Sequence, residues 1–338
     1  MPNILDVARL VEVSPRTVSR VLNDDPRVSA RTRKAVLRAM DELGYIPNQA
    51  ARSLRGAHTR VIGVVLFDLN NLALLQSVPA MEEVVRARGY SLLLCDSQND
   101  RETEAANLRR LYEQRVEGLV VFGTGEPCQE LALYARAGVP TVPLPYRAAP
   151  LPEGLPRLRL CVDLGLREGM RYLAELGHRR VAVVRSNMPS RAAPAFTRRE
   201  LAEGLPLDDD PSLELVRESA PECRQATIDL LTRPDRPTAI VSVLHAFSPY
   251  VLQGIHSVGL ALPEQLSFVS MGDSPWAVAY RPPLTAVRFE FGRIGRLLAE
   301  YLFARIDGGS GEDLLEQVRP LLVPRLVLRQ SCAPPPGN

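Results

Sequence analysis

Apolar positions at the start of the chain recur at helical spacing in short stretches. Ile4, Leu5, Ala8 and Val11 fall near a 3.6-residue period, with Asp6 and Arg9 outside the stripe. A break at Glu12-Val13 follows, and Val18, Val21 and Leu22 then stand at i, i+3 and i+4. Ser14 is placed to cap this second helix, and Pro15 suits its first position, where a missing N–H costs nothing. Arg16, Thr17, Ser19, Arg20 and Asn23 fill the remaining positions. The helix therefore carries a face of groups that bond base edges and phosphates. Two short helices across a tight turn, the second polar-faced, form a helix-turn-helix layout, although an ordinary surface hairpin of helices has the same periodicity. Ser29 as cap, Val36, Met40 and Leu43 on one face, and Gly44 as stop predict a third helix over roughly 30–43. Its stripe would close a small core with Val7, Ala8 and Val18. Arg31, Thr32 and Arg33 in its first turn fit either a phosphate grip or a solvated basic turn.

Pro47-Asn48 then starts, and Gly56 ends, a helix of about two turns, too short to be stable alone in water. It needs a second copy, DNA or both. Ala50 and Ala51 permit close approach and leave Leu54 prominent, which suits either a wedge into a minor groove or a plain linker helix.

From Arg60 the pattern changes. Val61–Phe67 is a continuous apolar run, as expected of a strand buried on both faces. Helix Met81–Arg88, strand Tyr90–Cys95, helix Glu102–Gln114 and strand Gly118–Phe122 follow, and Tyr134–Gly138 with Thr141–Leu144 repeat the theme. A second series runs through Arg167–Leu176, Val181–Val184, Ala226–Leu231, Ala239–Val243, Pro249–Val258 and Leu266–Ser270. Such alternation predicts doubly wound parallel sheets, and two series predict two lobes with a ligand cleft between strand ends. Gly292–Leu302 reads as a further helix and Leu321–Leu328 as a further strand. The last residues, SCAPPPGN, lack a packable pattern and read as disordered.

Composition narrows the class. At 338 residues, 46% hydrophobic and 24% charged, the chain is a globular protein of two or three domains. The net charge of +2 is uninformative, but residues 1–58 hold ten Arg and Lys against six Asp and Glu. A basic head on a slightly acidic body suits phosphate binding at one end. Cys95, Cys128, Cys161, Cys223 and Cys332 show no metal-ligand spacing, so no metal or other cofactor is expected. With neither a signal peptide nor a spanning apolar run, a cytoplasmic protein without membrane contact is expected. No nucleophile elbow, P-loop or strand-borne GxGxxG appears, so no enzymatic activity is expected.

DVARLVEVSPRTVSRVLN, then VSARTRKAV, then LGYIPNQAARSL, resembles the lactose/galactose repressor family of bacterial transcription regulators, and a weaker similarity continues to about residue 330. The resemblance implies an N-terminal all-α helix-turn-helix head plus an α/β body whose two doubly wound parallel-sheet lobes are of periplasmic-binding-protein type. It places a helix-turn-helix DNA-binding domain at 1–46, a hinge helix and linker at 47–59, and a two-lobed effector-binding and dimerisation domain at 60–330. The N-lobe spans about 60–158 plus 289–318 and the C-lobe about 159–288 plus 319–330, leaving 331–338 as the disordered tail. It implies base reading by Pro15, Arg16 and Arg20, and phosphate binding by Thr17, Ser19, Asn23, Ser29 and Thr32. Asn48 and Ala51 match hinge positions in the minor groove, and Leu54 matches the leucine that levers a base step open. The implied partners are a palindromic double-stranded operator, a second copy of the chain, and a small-molecule effector.

Departures from the family pattern are informative. Glu12 stands where the family often has a small residue, and a positive φ there would cost roughly 1 kcal/mol. Pro15 cannot bond a base, which leaves Arg16 as the main reader. In the cleft, Leu244-His245 replaces the usual Asn-Asp, Met271-Gly272-Asp273 replaces an aromatic followed by paired Asp, and Pro145 replaces an acid. The family's cleft arginine has three competitors, Arg191, Arg198 and Arg199. Phe67, Phe122, Phe247, Trp276 and Phe289 either line the cleft or pack the core; with Asp68, Arg191, His245 and Asp273 they complete the candidate effector residues. Sugars need fixed donor–acceptor pairs, so this set predicts either an effector that is not a typical sugar or no effector at all. A solute-binding protein of the same two-lobed form is the alternative; it predicts a secretion signal and no basic head.

Overall fold

The structure is a computed structural model, and it describes residues 2–22, 25–45, 58–124, 128–146, 150–186, 197–217, 219–243 and 245–337. They fall into two compact units, Met1–Thr59 and Arg60–Asn338.

The first unit packs α1 (Ile4–Leu10), α2 (Pro15–Leu22) and α3 (Ala30–Glu42) around one small core. Asn3 caps α1 in a capping box with Asp6, each side chain taking the other's backbone N–H. Glu12 does adopt the left-handed region, at φ 54°, in the turn between α1 and α2. Val7, Ala8, Val18, Val21, Val36 and Ala39 are buried together, one set from each helix. Most of the residues read as apolar stripes pack here, but Leu5, read into the stripe of the first helix, is 48% exposed, and Val7 takes the buried place.

The second unit holds two parallel sheets. In chain order its elements are β1 (Val61–Leu66), α4 (Ser77–Ala87), β2 (Ser91–Asp96), α5 (Arg101–Glu113), β3 (Gly118–Val121), α6 (Leu131–Ala137), β4 (Thr141–Pro143) and α7 (Val162–Glu175). There follow β5 (Val181–Ser186), α8 (Arg198–Ala202), β6 (Glu214–Arg217), α9 (Ala220–Leu231), β7 (Ala239–Ser242), α10 (Ser248–Ser257) and β8 (Ser267–Met271). The chain ends with α11 (Pro275–Ala279), β9 (Thr285–Arg288), α12 (Phe291–Ile306), α13 (Glu312–Val318) and β10 (Arg325–Val327). The N-lobe sheet has the order β2-β1-β3-β4 and the C-lobe sheet β10-β9-β8-β7-β5-β6, parallel except for β10. β1 is apolar at every residue because helices cover both its faces, α4 and α12 among the elements of one core, α5 and α6 of the other. Helix α12 returns to the N-lobe, where Gly295 lies so close to α4 that a Cβ would stand 2.3 Å from the Ser77 carbonyl oxygen.

The reading of 331–338 as disordered is overturned for its first half. Ser331 is fully buried; Phe268 donates its N–H to the Ser331 carbonyl at 2.8 Å, and the Ser331 hydroxyl donates back to the Phe268 carbonyl at 2.6 Å. The Ala333 N–H donates to Ser267 Oγ at 3.1 Å, and its carbonyl accepts from buried His178 at 2.9 Å. A strap without periodic apolar residues is thus held by polar bonds that hydrophobic pattern cannot signal.

Candidate nucleic-acid interface

The polar face of α2 is built from its cap outward. Ser14 Oγ accepts the Thr17 N–H at 3.1 Å and pairs with Thr17 Oγ1 at 2.9 Å, which fixes the first turn. Pro15 and Arg16 are exposed, while Thr17, Ser19 and Arg20 are half-buried. Arg16 and Arg20 are one turn apart and share a face, opposite buried Val18 and Val21. Such a helix presents a guanidinium fork that can take a guanine edge in bidentate fashion.

The neighbouring helix repeats the device. Ser29 Oγ caps α3 by accepting the Thr32 N–H at 3.1 Å and pairs with Thr32 Oγ1 at 2.8 Å, so the two predicted phosphate residues are joined in the first turn of the helix. No acidic residue stands in that first turn, which leaves the helix N-terminus free of repulsion toward an anion. Arg33, grouped by sequence with a phosphate grip, instead reaches back to donate to the Val21 carbonyl at 3.3 Å and the Asp25 carbonyl at 3.0 Å. It ties the end of α2 to α3, a role that spacing alone could not separate from phosphate contact. Asp25 accepts from Arg27 through both oxygens, at 2.9 Å and 2.7 Å, and the Arg27 guanidinium holds its carboxyl well below the usual carboxylate range. Asn23, Asn48, Ala51 and Leu54 lie outside the described residues.

The candidate cleft residues separate in the structure. Phe122 and Phe289 belong to the N-lobe core, both against Phe291, with ring centroids 6.3 Å and 5.1 Å away. This corrects their assignment to the cleft lining: their rings complete the layer between sheet and α12. Phe67 is half-buried and stands edge-on to Tyr146 at 5.5 Å. Beside it, burial and nearby Asp96 raise the pKa of Asp68, partly offset by the Asn70 N–H it accepts at 2.8 Å. Asp273 is taken by a partner that sequence reading missed, accepting from Arg329 through both oxygens at 2.9 Å and 2.7 Å. Arg329 lies only two residues beyond β10, but 56 residues from Asp273 in the chain, so no local signal links them. His245 is buried, accepts from Trp276 Nε1 at 3.4 Å, and is pushed below its ordinary pKa by burial, which the Met271 backbone only partly offsets. Its ring fills the space beside Gly272, whose φ is +86° and whose Cβ would stand 2.8 Å from His245 Nδ1 and 3.3 Å from Ala73. Arg191 lies outside the described residues. Of its two competitors, Arg198 donates to the Val181 and Asp208 carbonyls at 2.8 Å and 2.6 Å and is fully engaged in the C-lobe scaffold.

Among the described residues no group of His, Cys, Asp and Glu is placed to hold a metal ion, and no helix is long and apolar enough to cross a membrane. Residues 3–48 match the family described as bacterial regulatory proteins, lacI family, and residues 170–332 match a periplasmic binding protein-like domain. The HTH-type transcriptional repressor PurR of Glaesserella parasuis serovar 5 (strain SH0165) is 31% identical over 342 residues, covering 98% of each chain. The protein of the same name from Vibrio vulnificus (strain CMCP6) is 28% identical over 96% of this chain and 98% of its own. Among solved structures, the Lac repressor bound to ONPG in its repressed state superposes with a TM-score of 0.74 at 27% identity, over 98% of this chain and 99% of that one. The Lac repressor dimer bound to operator and the anti-inducer ONPF gives 0.73 at 26% identity, with the same coverage.

Proposed function

The chain belongs to the lacI family of bacterial regulatory proteins, and on that premise we propose that it acts as a repressor whose grip on DNA is set by a small molecule held between its lobes. It is a DNA-binding transcription regulator. In the proposed action two copies form a homodimer, and their heads dock on the half-sites of a palindromic operator, where two-fold protein symmetry mirrors the DNA. The observation that carries this reading is the face of α2 that carries exposed Arg16 and half-buried Arg20, set on a packed three-helix core. Pro15, Arg16 and Arg20 are the proposed base readers. Thr17, Ser19, Asn23, Ser29 and Thr32 are the proposed phosphate group, and Asn48, Ala51 and Leu54 the proposed minor-groove group.

The proposed effector is not a simple sugar. A sugar site needs carboxylates free to take pairs of hydroxyls. Here the C-lobe carboxylate Asp273 is spent on Arg329, and the neighbouring position is Gly272, its side-chain space taken by the His245 ring. Ligand closure of the lobes would shift the heads and change operator affinity by its differential binding to the two arrangements. Genomic footprinting of the bound protein tests the operator reading, and a thermal-shift screen against sugars, nucleosides and aromatic acids tests the effector reading. Clear stabilisation by a hexose or pentose overturns the latter.

A further inference from the structure

Asp25 is an acidic residue in the wrong place for a simple DNA-binding head. It stands just past the C-terminus of α2, where a negative charge opposes the helix dipole, and beside the face proposed to meet polyanionic DNA. Its partners explain it. The backbone N–H of Asp25 donates to the Arg20 carbonyl at 3.0 Å, and its carbonyl accepts from Arg33 at 3.0 Å, so its position is fixed from both sides. The carboxylate, 13% exposed, then faces two arginines differently. Arg27 spends its fork on it, donating through Nε at 2.9 Å and Nη2 at 2.7 Å, although the Arg27 side chain is 76% exposed. Arg20 faces it through Nε at 3.8 Å, beyond hydrogen-bond distance, and the Arg20 side chain stays 42% exposed.

We propose that Asp25 is a specificity-determining residue of the head, withholding Arg27 from phosphates while its charge biases the Arg20 guanidinium toward its reading position. The inference rests on α2 being the groove-facing helix. On DNA of arbitrary sequence, a fork paired with Asp25 gains little from a phosphate, because it exchanges one anion for another. Non-specific affinity, which comes almost entirely from such contacts, is held down. On the operator, the Asp25 charge, 3.8 Å from Arg20 Nε, favours arrangements that keep this guanidinium near the end of α2, which spares part of the cost of fixing a long side chain. Selectivity is raised from both ends, by weaker background and by a prepared reader.

Asp25→Asn in the full chain tests this. The amide oxygen still accepts the Arg27 backbone N–H, made at 3.0 Å by the carboxylate, so the local turn is retained. Binding is measured across a salt series on a duplex selected from random sequence and on a scrambled duplex of the same composition. On the scrambled duplex, affinity is expected to rise roughly 2- to 5-fold per head, the scale of one exposed ion pair. Its logarithmic salt slope should steepen by about 0.9 per head as Arg27 takes a phosphate. The ratio of selected to scrambled affinity should fall, and Arg27→Ala added to Asp25→Asn should return the slope to the wild-type value. A purely structural Asp25 would lower both affinities together and leave the slope alone, and that result, or no change in any of them, overturns the proposal. Arg16→Ala is run in parallel: if it too leaves sequence preference intact, the groove-facing reading of α2 fails, whereas a loss there with unchanged Asp25→Asn data refutes Asp25 alone.

Discussion

His178 is where the C-terminal strap is tied down, and its removal gives a magnitude that follows from the structure. The ring is 1% exposed. Nδ1 pairs with Thr238 Oγ1 at 2.8 Å, and Nε2 faces Ser267 Oγ at 3.0 Å and the Ala333 carbonyl at 2.9 Å. In His178→Ala the Ala333 carbonyl keeps its bond from Ser267 Oγ at 3.0 Å, so the loss is one to two hydrogen bonds and the space of a buried ring. At ~1 kcal/mol per bond and ~2 kcal/mol for the cavity, the variant should lose ~3–4 kcal/mol. Trp276, the single tryptophan, packs against the C-lobe core, so its fluorescence in a denaturant titration reports that lobe. Limited proteolysis near Ser331 should become faster in the variant. The pH response has a definite sign. Burial pushes the folded-state pKa of His178 below its ordinary value. Above the unfolded pKa of about 6.5 the ring is neutral in both states and its full contribution is present; as pH falls below it, the unfolded chain takes the proton first and stability drops. His178→Ala should therefore flatten the decline on the acid side, leaving the part due to His245, which is shifted the same way. An unchanged unfolding midpoint, with the strap still protected and the acid decline undiminished, refutes the assigned role.

Three further variants address the other parts. Val18→Ala empties the centre of the head core and should cost about 1–3 kcal/mol, read as a lower melting transition of the head by circular dichroism, with the Trp276 signal unmoved. Gly295→Ala puts a Cβ 2.3 Å from the Ser77 carbonyl oxygen, a backbone atom that cannot swing away, and should destabilise the N-lobe by about 1–3 kcal/mol in denaturant titration. Arg16→Ala should relax sequence choice in selection from random duplexes by roughly 1–3 kcal/mol of discrimination, with non-specific binding changed far less.

Local signals made much of this molecule legible. The three head helices follow from their caps and stripes, because Ser14 and Ser29 act within their own first turns. Strand β1 follows from an uninterrupted apolar run. Elements whose identity depends on partners far along the chain were less legible. The helix expected from Arg167 begins at Val162, and β6 and β9 carry no strand pattern of their own, since pairing with β5 and β8 decides them. The strand read over Leu321–Leu328 shrinks to Arg325–Val327, preceded by a 3-10 turn at Arg319–Leu322. In the site, sequence could name Asp273, His245 and Arg33 but not what they touch. Arg329, Gly272 and the Val21 carbonyl meet them only after folding. Phe122 and Phe289 show the same limit from the other side, since an aromatic after a strand reads alike whether it lines a cleft or fills a core.

In the proposed action the α2 face reads DNA and two copies do so together. Selection of the purified full chain on random duplexes at moderate salt tests it most directly. A two-fold symmetric sequence should be enriched, bound far more tightly than bulk competitor and lost on Arg16→Ala. Recovery of no preferred duplex, or of a preference that survives Arg16→Ala unchanged, contradicts it.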